Sequence, residues 1–252
     1  MSRDPGTNGE RRAREREFFD ASSGAQFEAE PPPPTEHQRA LFSLLGPVSG
    51  EVVLDCGCGS GELANELAVT ASTVAAFDLS LESVRLMRLR SPGPPPGGLV
   101  SVMEQLPFGS ETFDAVVGSS ILHHVDVAES LREVHRVMKP GARAVFIENQ
   151  VTNPLLRWAR RFLTGRFGVA RLGTLDEHPL VAADYRAIRA LFPSVTLHYP
   201  DFRFLGLISR NVLRYRRALW LAKLFAKLDE LIWRFVPQLR KFGYHVIIEL
   251  RR

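Results

Sequence analysis

The sequence predicts an α/β fold in which parallel strands alternate with crossover helices. Short apolar runs alternate with segments of helical periodicity, a glycine-rich turn follows the first apolar run, and an acidic residue follows the second. At 252 residues and 45% hydrophobic composition, the chain is long enough to bury one full core.

The first predicted strand starts at Val52 and ends in a glycine-rich loop. The apolar run is followed by an acid and then by glycines at every second position, namely Asp55, Gly57, Gly59 and Gly61. Glycine permits positive φ and lets a ligand approach main-chain N–H groups closely. The next helix is predicted to begin near Glu62.

The spacing of this loop differs from the dinucleotide fingerprint. In that fingerprint a third glycine stands where this chain has Glu62, and it allows close helix packing around a pyrophosphate. The carboxylate of Asp55 would repel a pyrophosphate but attract a cation. The loop therefore suits a ligand with an ammonium or sulfonium centre, such as S-adenosylmethionine, and disfavours a nicotinamide-dependent dehydrogenase.

The second predicted strand, Thr73–Phe77, is followed by Asp78. This acid lies roughly 20 residues after the glycine loop, where a ribose-binding carboxylate is expected. The alternative is a helix cap, because Asp78 and Ser80 also precede the helical run Leu81–Arg90. The proline- and glycine-rich stretch 91–98 predicts a loop before the third strand.

Both cysteines of the chain, Cys56 and Cys58, lie within the glycine loop. Residues this close make poor disulfide partners, and the sequence shows no Cys/His spacing typical of zinc. We therefore predict small residues in a tight turn, no metal site and a reducing, cytoplasmic setting. No N-terminal signal or apolar run long enough to cross a bilayer is seen in the sequence.

Three further segments follow a recognisable pattern, namely Glu104–Phe108, Phe113–Val125 and Leu131–Glu148. With the glycine loop and Asp78 they cover about residues 50 to 150. On these motifs the chain resembles the class I S-adenosylmethionine-dependent methyltransferases of small-molecule type, similar to the ubiquinone and menaquinone biosynthesis enzymes. The resemblance implies a Rossmann-like, seven-stranded, mostly parallel sheet with an antiparallel terminal strand, a helical N-terminal lid and a helical C-terminal insertion. It also implies that Phe113–Val125 holds the fourth strand and the turn after it, and that Pro140–Gly141 forms a turn before the fifth strand.

The resemblance also implies S-adenosylmethionine as cofactor and a set of residues that bind it. The set is Asp55, Gly57, Cys58, Gly59, Gly61, Asp78, Leu79, Val102, Met103, Glu104 and Ser119. One position departs from the family, because Val102 stands where an acid or amide commonly bonds the adenine amino group. Backbone groups of Val102 and Met103 remain available, and the lost hydrogen bond costs about 1 kcal/mol.

Four regions are predicted along the chain. Residues 1–15 form a disordered tail, 16–48 a lid or linker, 49–150 the S-adenosylmethionine-binding core, and 151–252 the rest of the sheet with an insertion at about 202–242. The lid would place Phe18, Phe19 and Phe27 over the cofactor, and the alternative is a helix packed on the sheet edge. The four prolines at 31–34 form a stiff spacer.

Charge divides the chain into two halves. Residues 1–150 carry a net charge of −8 and residues 151–252 a net charge of +12, which give the +4 of the whole chain. Cations and aromatics are interleaved after position 150, at Arg157, Trp158, Arg160, Arg161, Phe162, Arg166 and Phe167. We expect the basic half to hold the substrate side or a surface contact.

Within the insertion, apolar residues recur at near-helical spacing, at Leu213, Trp220, Leu224, Leu228, Leu231, Phe235 and Leu239. Nine Lys or Arg lie between Arg210 and Lys241. Such a segment is a cap with its apolar side in the core, an interfacial helix on an anionic membrane, or a nucleic-acid face. Trp220, Trp233 and Phe235 suit the membrane headgroup boundary, whereas no nucleic-acid-binding module accompanies the charge.

Methyl transfer from a sulfonium needs an acceptor held in line and, for a hydroxyl or acidic carbon, a base. His123 and His124 follow the fourth predicted strand at the edge where ligands bind, and imidazole titrates near neutral pH. Either is a candidate base, and a structural role for the pair is the alternative. His178 and His198 are weaker candidates.

We therefore predict methyl transfer from S-adenosylmethionine to a small or lipid-like acceptor at oxygen or carbon. The basic, aromatic C-terminal half favours an acidic or amphipathic substrate. Two alternatives stay open, a catalytically silent cofactor-binding module and a membrane-peripheral scaffold. The acceptor, the accepting atom and the oligomeric state are not determined by the sequence.

Overall fold

The computed structural model describes residues 8–25, 35–150, 152–154, 158, 162, 179–202, 205 and 219–252. Seven strands form one sheet within them, β1 Val52–Cys56, β2 Thr73–Asp78, β3 Gly97–Val100, β4 Phe113–Ser119, β5 Met138–Asn149, β6 Ser194–His198 and β7 His245–Arg251. Their order is β3-β2-β1-β4-β5-β7-β6. Neighbours among β1 to β5 pair in parallel, whereas β7 runs antiparallel to β5 and β6. The predicted fold class is confirmed.

Seven α-helices are described, α1 Asn8–Gly24, α2 Glu36–Leu45, α3 Glu62–Leu67, α4 Leu81–Leu89, α5 Val127–Val137, α6 Ala182–Leu191 and α7 Leu219–Phe235. Side-chain caps explain where several of them begin. Thr35 forms a capping box with Gln38 at α2, Ser80 caps α4, and Asp126 caps α5. Of the two predicted caps of α4, Ser80 is thus the residue that bonds the first turn.

The core consists of two apolar layers, one on each face of the sheet. Successive strand residues point to opposite faces, so Val53 lies in one layer and Leu54 in the other. Helices cover both faces of the central strands, which explains why β1 and β4 are almost continuously apolar.

Parallel register brings the predicted site residues to one edge of the sheet. Cys56 at the end of β1 pairs with Phe77 of β2 on one side and Gly118 of β4 on the other. The glycine loop, Asp78 and Ser119 therefore leave the sheet side by side, at the carboxyl edge where ligands bind in such folds.

The structure corrects three sequence predictions. The stretch 1–15 was expected to be disordered, but α1 already begins at Asn8, and Arg11, Arg12 and Glu15 pair with Glu104 and His124, contacts that composition does not reveal. Pro140–Gly141 lies inside β5, at a register irregularity against β4, rather than in a turn before it. Gly97 and Gly98 belong to β3 and not to the preceding loop, since they pair with Ala75 and Ala76.

Other predictions fall outside the described residues. They concern Phe27, the prolines at 31–34, Arg157, Arg160, Arg161, Arg166, Phe167, His178, Arg210 and Leu213. Of the predicted insertion, the described part is α7 and a 3₁₀ segment at Pro237–Phe242. None of the described helices combines the length and apolarity needed to span a bilayer.

Candidate active site

The glycine loop has the left-handed backbone that its spacing predicts. Gly57, Gly59 and Gly61 have φ values of 66°, 50° and 90°. A Cβ at Gly57 would lie 2.7 Å from Ile121, and one at Gly61 would lie 2.4 Å from Met87, so both serve packing. A Cβ at Gly59 would meet no atom within 4 Å. Gly59 therefore borders open space, which leaves room for a ligand beside the backbone.

Asp55, the fourth residue of β1, is a buried carboxyl group without a hydrogen bond of normal geometry. Its residue is 1% exposed, and neither carboxylate oxygen has a partner of normal geometry within the described residues. Burial, together with the nearby negative charges of Glu62 and Asp78, raises the pKa of Asp55 to about 8, although the Ala64 backbone N–H opposes this shift. An ionised Asp55 needs a cationic partner.

Asp78 ends β2 and is anchored by backbone donors. Its Oδ2 accepts from Gly59 N at 2.9 Å, and its Oδ1 accepts from Ser80 N at 2.8 Å. Burial raises the pKa of Asp78, while these bonds, a further one from Leu79 and the nearby His124 oppose that rise. Asp78 thus fastens the loop after β1 to the loop after β2, and its carboxylate, with about four acceptor sites, keeps accepting capacity beyond these three bonds.

A cavity of about 230 Å³ lies beside the glycine loop. Residues from the loop and from helices α1 to α4 line it, namely Phe19, Ser22, Ser23, Gln38, Asp55, Gly57, Cys58, Gly59, Ser60, Glu62, Leu63, Ser83 and Ser119. Five of the predicted cofactor residues meet here, Asp55, Gly57, Cys58, Gly59 and Ser119. Gly61, Asp78, Leu79 and residues 102–104 lie outside its lining.

A larger cavity of about 470 Å³ lies elsewhere, between α2, β6 and β7. Of the predicted site residues it contains only His198, whose Nε2 is 3.1 Å from Glu249. We assign the functional site to the smaller cavity, because it holds the unpaired Asp55 and the open face of Gly59.

Helix α1 lies across this edge of the sheet and closes the smaller cavity. Asp20 accepts from the Ser80 hydroxyl at 2.5 Å, and the hydroxyls of Ser23 and Ser83 share a hydrogen bond of 2.8 Å. Phe19 packs edge-on against His124, with ring centroids 5.3 Å apart. Contacts from the middle and the end of α1 thus connect it to α4 and to the turn after β4.

The loop after β3 is also tied to α1. Arg11 and Arg12 pair with Glu104 at 3.0 and 3.3 Å, and Glu104 also accepts from Asp126 N. The Met103 side chain is buried in the core, and Val102 forms a bridge with Gln105. The side chain of Met103 is therefore not available to a ligand, whereas Val102 is half-buried.

The two adjacent histidines have different surroundings. His123 is buried, and its Nδ1 is 2.8 Å from Glu148 Oε2. Glu148 also accepts from the N–H groups of Ile121 and Leu122, so this carboxylate fixes the whole turn after β4. His124 instead lies against α1, with Nδ1 2.9 Å from Glu15 Oε2.

Comparison with known proteins identifies the family of this chain. Residues 54–146 match a family model described as a methyltransferase domain. The 2-phytyl-1,4-naphtoquinone methyltransferase of Nostoc punctiforme is 31% identical over 174 residues, which cover 60% of this chain and 76% of that relative. The chain belongs to the S-adenosylmethionine-dependent methyltransferase family. The chain matches 51% to 60% of the length of other curated methyltransferases.

Solved structures share the fold of this methyltransferase. The geranyl diphosphate C-methyltransferase of Streptomyces coelicolor A3(2), in complex with Mg²⁺, geranyl diphosphate and S-adenosyl-L-homocysteine, aligns over 98% of this chain and 100% of its own, with 15% identity and a TM-score of 0.60. A [4+2]-cyclase aligns over 94% of both chains, with 15% identity and a TM-score of 0.59. Likeness at this level shows the fold and leaves the reaction to be argued from the site.

Sequence reasoning missed several residues of the methyltransferase site. Glu15 and Asp20 lie in a segment without a recognisable motif, so only tertiary contacts reveal them. The sequence does contain a local pattern that predicts a site role for Glu148. It follows the apolar run of β5, as Asp55 and Asp78 follow those of β1 and β2.

Proposed function

We propose that this methyltransferase transfers a methyl group from S-adenosylmethionine to a small, lipid-like acceptor, at oxygen or carbon. The observation that carries the cofactor site is Asp55, whose two buried oxygens lack partners beside a cavity lined by the glycine loop. S-adenosylmethionine carries an ammonium and a sulfonium centre, and either cation would compensate the buried carboxylate. The open side of Gly59 allows the ligand to approach the loop.

Further residues are assigned to the rest of the cofactor. Asp78 keeps accepting capacity for ribose hydroxyls after bonding Gly59 and Ser80. Gly57, Cys58 and Ser119 border the methionine side through the cavity, and Gly61 and Leu79 support the two loops. Backbone groups of Val102 and Met103 border the adenine. Glu104 is occupied by Arg11 and Arg12, so we assign it to holding this loop against α1.

We propose α1 as a lid that opens to admit the cofactor. The cavity under α1 is about 230 Å³, below the roughly 300 to 1,000 Å³ typical of small-molecule sites. Phe19, Ser22 and Ser23 supply part of its lining, so movement of α1 would enlarge it. Phe18, the other predicted cover residue, is 43% exposed on α1 and contacts Phe19 edge-on.

We assign most residues of the site to holding the reactants in place, and one residue to proton transfer. When bound, S-adenosylmethionine would supply an activated methyl group, which bonds to a nucleophile held in line while the sulfur departs as the thioether of S-adenosylhomocysteine. Glu148 fixes the turn after β4 through two backbone N–H groups and His123, so His123 acts as a positioning residue. His124 lies at the closing surface between this turn and α1, and we retain it as the candidate base.

Calorimetric titration tests the cofactor site. The purified wild type should bind S-adenosylmethionine and S-adenosylhomocysteine. Asp78→Ala should weaken binding about 10- to 100-fold, the cost of one hydrogen bond to a charged group. Gly59→Val should abolish it, because the side chain fills the open space at positive φ.

Asp114→Asn is the matched control for this titration. Asp114 lies near the opposite end of β4, where it pairs with Lys139 at 2.8 Å. This variant should bind the cofactor as the wild type does. Equal affinity in all folded variants, or no binding by the folded wild type, would contradict the proposed site and favour a silent scaffold.

A lipid-like acceptor is supported by a curated relative and by α7. The curated relative is named for a phytyl-bearing naphthoquinone, which carries an isoprenoid chain. Helix α7 exposes an apolar stripe of Trp220, Leu224, Leu228, Leu231 and Phe235. These positions lie on one face of a helix, and Trp220 and Phe235 are 69% and 68% exposed.

The other face of α7 packs on the protein. Asp229 is buried and accepts from Leu205 N, and Trp233 donates its ring N–H to Tyr199 O at 2.9 Å. Trp233 was predicted at a membrane boundary, but it lies against the body of the protein beneath Arg240. Lys223, Lys227 and Arg234 flank the exposed stripe, as expected for an interfacial helix on an anionic membrane.

Vesicle flotation tests this membrane surface. Wild type should float with phosphatidylglycerol vesicles at low salt and less with phosphatidylcholine vesicles. Trp220→Ala combined with Phe235→Ala should abolish flotation, whereas Leu89→Ala, which alters an exposed leucine of α4, should not. Failure of the wild type to float would remove the membrane contact and leave the cofactor site untouched.

The acceptor class is tested with labelled S-adenosylmethionine and reduced naphthoquinones carrying or lacking an isoprenoid chain. We expect methyl transfer to the chain-bearing quinol in vesicles and at least about tenfold less to the short analogue. Cofactor binding without transfer to any quinol or phenol would favour the silent module.

A further inference from the structure

Two histidines and an aspartate from three separate segments converge outside the cofactor cavity. His37 Nε2 and His245 Nδ1 lie 2.9 and 3.0 Å from the same oxygen, Asp201 Oδ2. All three donor atoms lie within 4.8 Å of one another. It is the one group of this kind within the described part of the chain.

The fold places this group at the carboxyl edge of the sheet. His245 is the first residue of β7 and pairs with Asn149, the last residue of β5. Asp201 follows β6 by three residues, and His37 lies in the first turn of α2. The three residues thus join the N-terminal part of the chain to the C-terminal half, although 164 positions separate His37 from Asp201.

The donor set is that of a metal site. Two imidazole nitrogens and one carboxylate oxygen bind Zn²⁺ or Fe²⁺ in proteins that keep positions open for water or substrate. Donors about 2.1 Å from a tetrahedral Zn²⁺ ion lie about 3.4 Å apart, so the separations of 2.9 and 3.0 Å found here need to widen by only about 0.5 Å. The hard ions Mg²⁺ and Ca²⁺ prefer sites made of oxygen alone.

The site is also accessible to an ion. The side chains of His37, Asp201 and His245 are 14%, 17% and 19% exposed. They are packed well enough to be held in place, since the two imidazole rings lie 4.2 Å apart and Tyr244 packs edge-on against His245. An ion can therefore enter without unfolding of the surrounding segments.

We propose that His37, Asp201 and His245 bind one divalent transition-metal ion, with Zn²⁺ as the fitting case, and leave a position open for an oxygen ligand. The ion joins α2, the segment after β6 and the start of β7. This binding is independent of the cofactor site, because none of the three residues lines the cavity beside the glycine loop.

Cobalt absorption and calorimetry on the tag-free, full-length protein test the proposal. The wild type should take up one Co²⁺ with visible absorption bands, which Zn²⁺ then displaces. Acetohydroxamate should change the bands, because it enters the open position. Zn²⁺ should also raise the melting temperature of the wild type, since a ligand that binds only the folded state stabilises it.

Variants locate the ion. His245→Ala and Asp201→Asn should weaken Zn²⁺ binding at least about tenfold, the lower end of the cost measured when even an outer partner of a ligand is removed. His198→Ala is the matched control, because His198 also pairs with a carboxylate but lies outside the group. It should bind Zn²⁺ as the wild type does.

Two results would overturn the proposal. Absence of Co²⁺ and Zn²⁺ uptake by the wild type would make the group a hydrogen-bonded link between segments, whatever the variants do. A loss of Zn²⁺ affinity in His198→Ala as large as that in His245→Ala and Asp201→Asn would show that the ion binds elsewhere. Both readouts are independent of S-adenosylmethionine, so their failure is distinguishable from failure of the proposed methyl transfer.

Discussion

Burial of the Asp55 carboxyl group lowers the stability of the cofactor-free protein, and the same group is placed to bind a cation of the cofactor. Its carboxyl group is buried without a hydrogen bond of normal geometry, and burial with neighbouring acids raises its pKa to about 8. At neutral pH the free protein therefore keeps Asp55 largely protonated. A bound cation favours the ionised form and lowers that pKa again.

Cofactor binding should release a proton from Asp55. Below about pH 8 the free carboxyl group is protonated, so affinity for S-adenosylmethionine should rise with pH and level off near pH 8. Titrations in buffers of different ionisation enthalpy should show proton release at pH 7 that is lost in Asp55→Asn. Any proton exchanged by the cofactor's amino group is also exchanged when Asp55→Asn binds the cofactor, so the difference between the two proteins reports Asp55. The same proton count in both proteins would show that Asp55 does not face the cation.

At the scale of elements, α1 decides how tightly the site is closed. It is bound at its beginning through Arg11 and Arg12 to Glu104, in its middle through Glu15 to His124, and near its end through Ser23 to Ser83. Only the first of these attachments holds the loop after β3, which borders the proposed adenine position. Removal of the ion pairs of Arg11 and Arg12 with Glu104 should therefore loosen the lid and leave the glycine loop intact.

The double variant Arg11→Ala, Arg12→Ala should release the cofactor faster. Loss of a closed-state stabilisation of about 1.4 kcal/mol corresponds to a tenfold faster dissociation in stopped-flow displacement. Arg16→Ala removes an exposed arginine of the same helix and should leave the rate unchanged. An unchanged rate in the double variant would mean that α1 is only a packing helix.

At the level of the whole molecule, the buried Asp55 lowers the free energy of unfolding of the cofactor-free protein as the pH rises. A carboxyl group with a raised pKa binds more protons in the folded than in the unfolded state, so stability falls as pH rises. For Asp55 this loss begins near pH 4, its unfolded pKa, and is complete at about pH 8. Each unit between these values corresponds to about 1.4 kcal/mol, which makes several kcal/mol an upper bound.

Asp55→Asn should therefore stabilise the cofactor-free protein while impairing cofactor binding. We expect the melting temperature to rise by at least a few degrees at pH 8 and to change little at pH 4. Addition of S-adenosylmethionine should raise the melting temperature of the wild type much more than that of the variant. A lower melting temperature of the variant at pH 8 would show that the ionised carboxylate has a partner in the free protein.

Local sequence signals were enough to predict much of the sheet and the glycine loop. Strands β1, β2 and β4 and the glycine loop were predictable because their signals are local, namely apolar runs, positive-φ glycines and acids at strand ends. Parallel pairing then places Asp55, Asp78 and Ser119 on one edge, so much of the candidate cofactor site followed from local patterns.

Tertiary structure alone decided how distant segments meet. Nothing local in the sequence shows that Glu15 reaches His124 or that Trp233 of α7 turns inward to Tyr199, because one helix face is chosen by what packs against it. The pKa of Asp55 likewise depends on burial, which no neighbour in sequence supplies. His37, Asp201 and His245 carry no metal-binding spacing, and only the fold brings their donor atoms within reach of one ion.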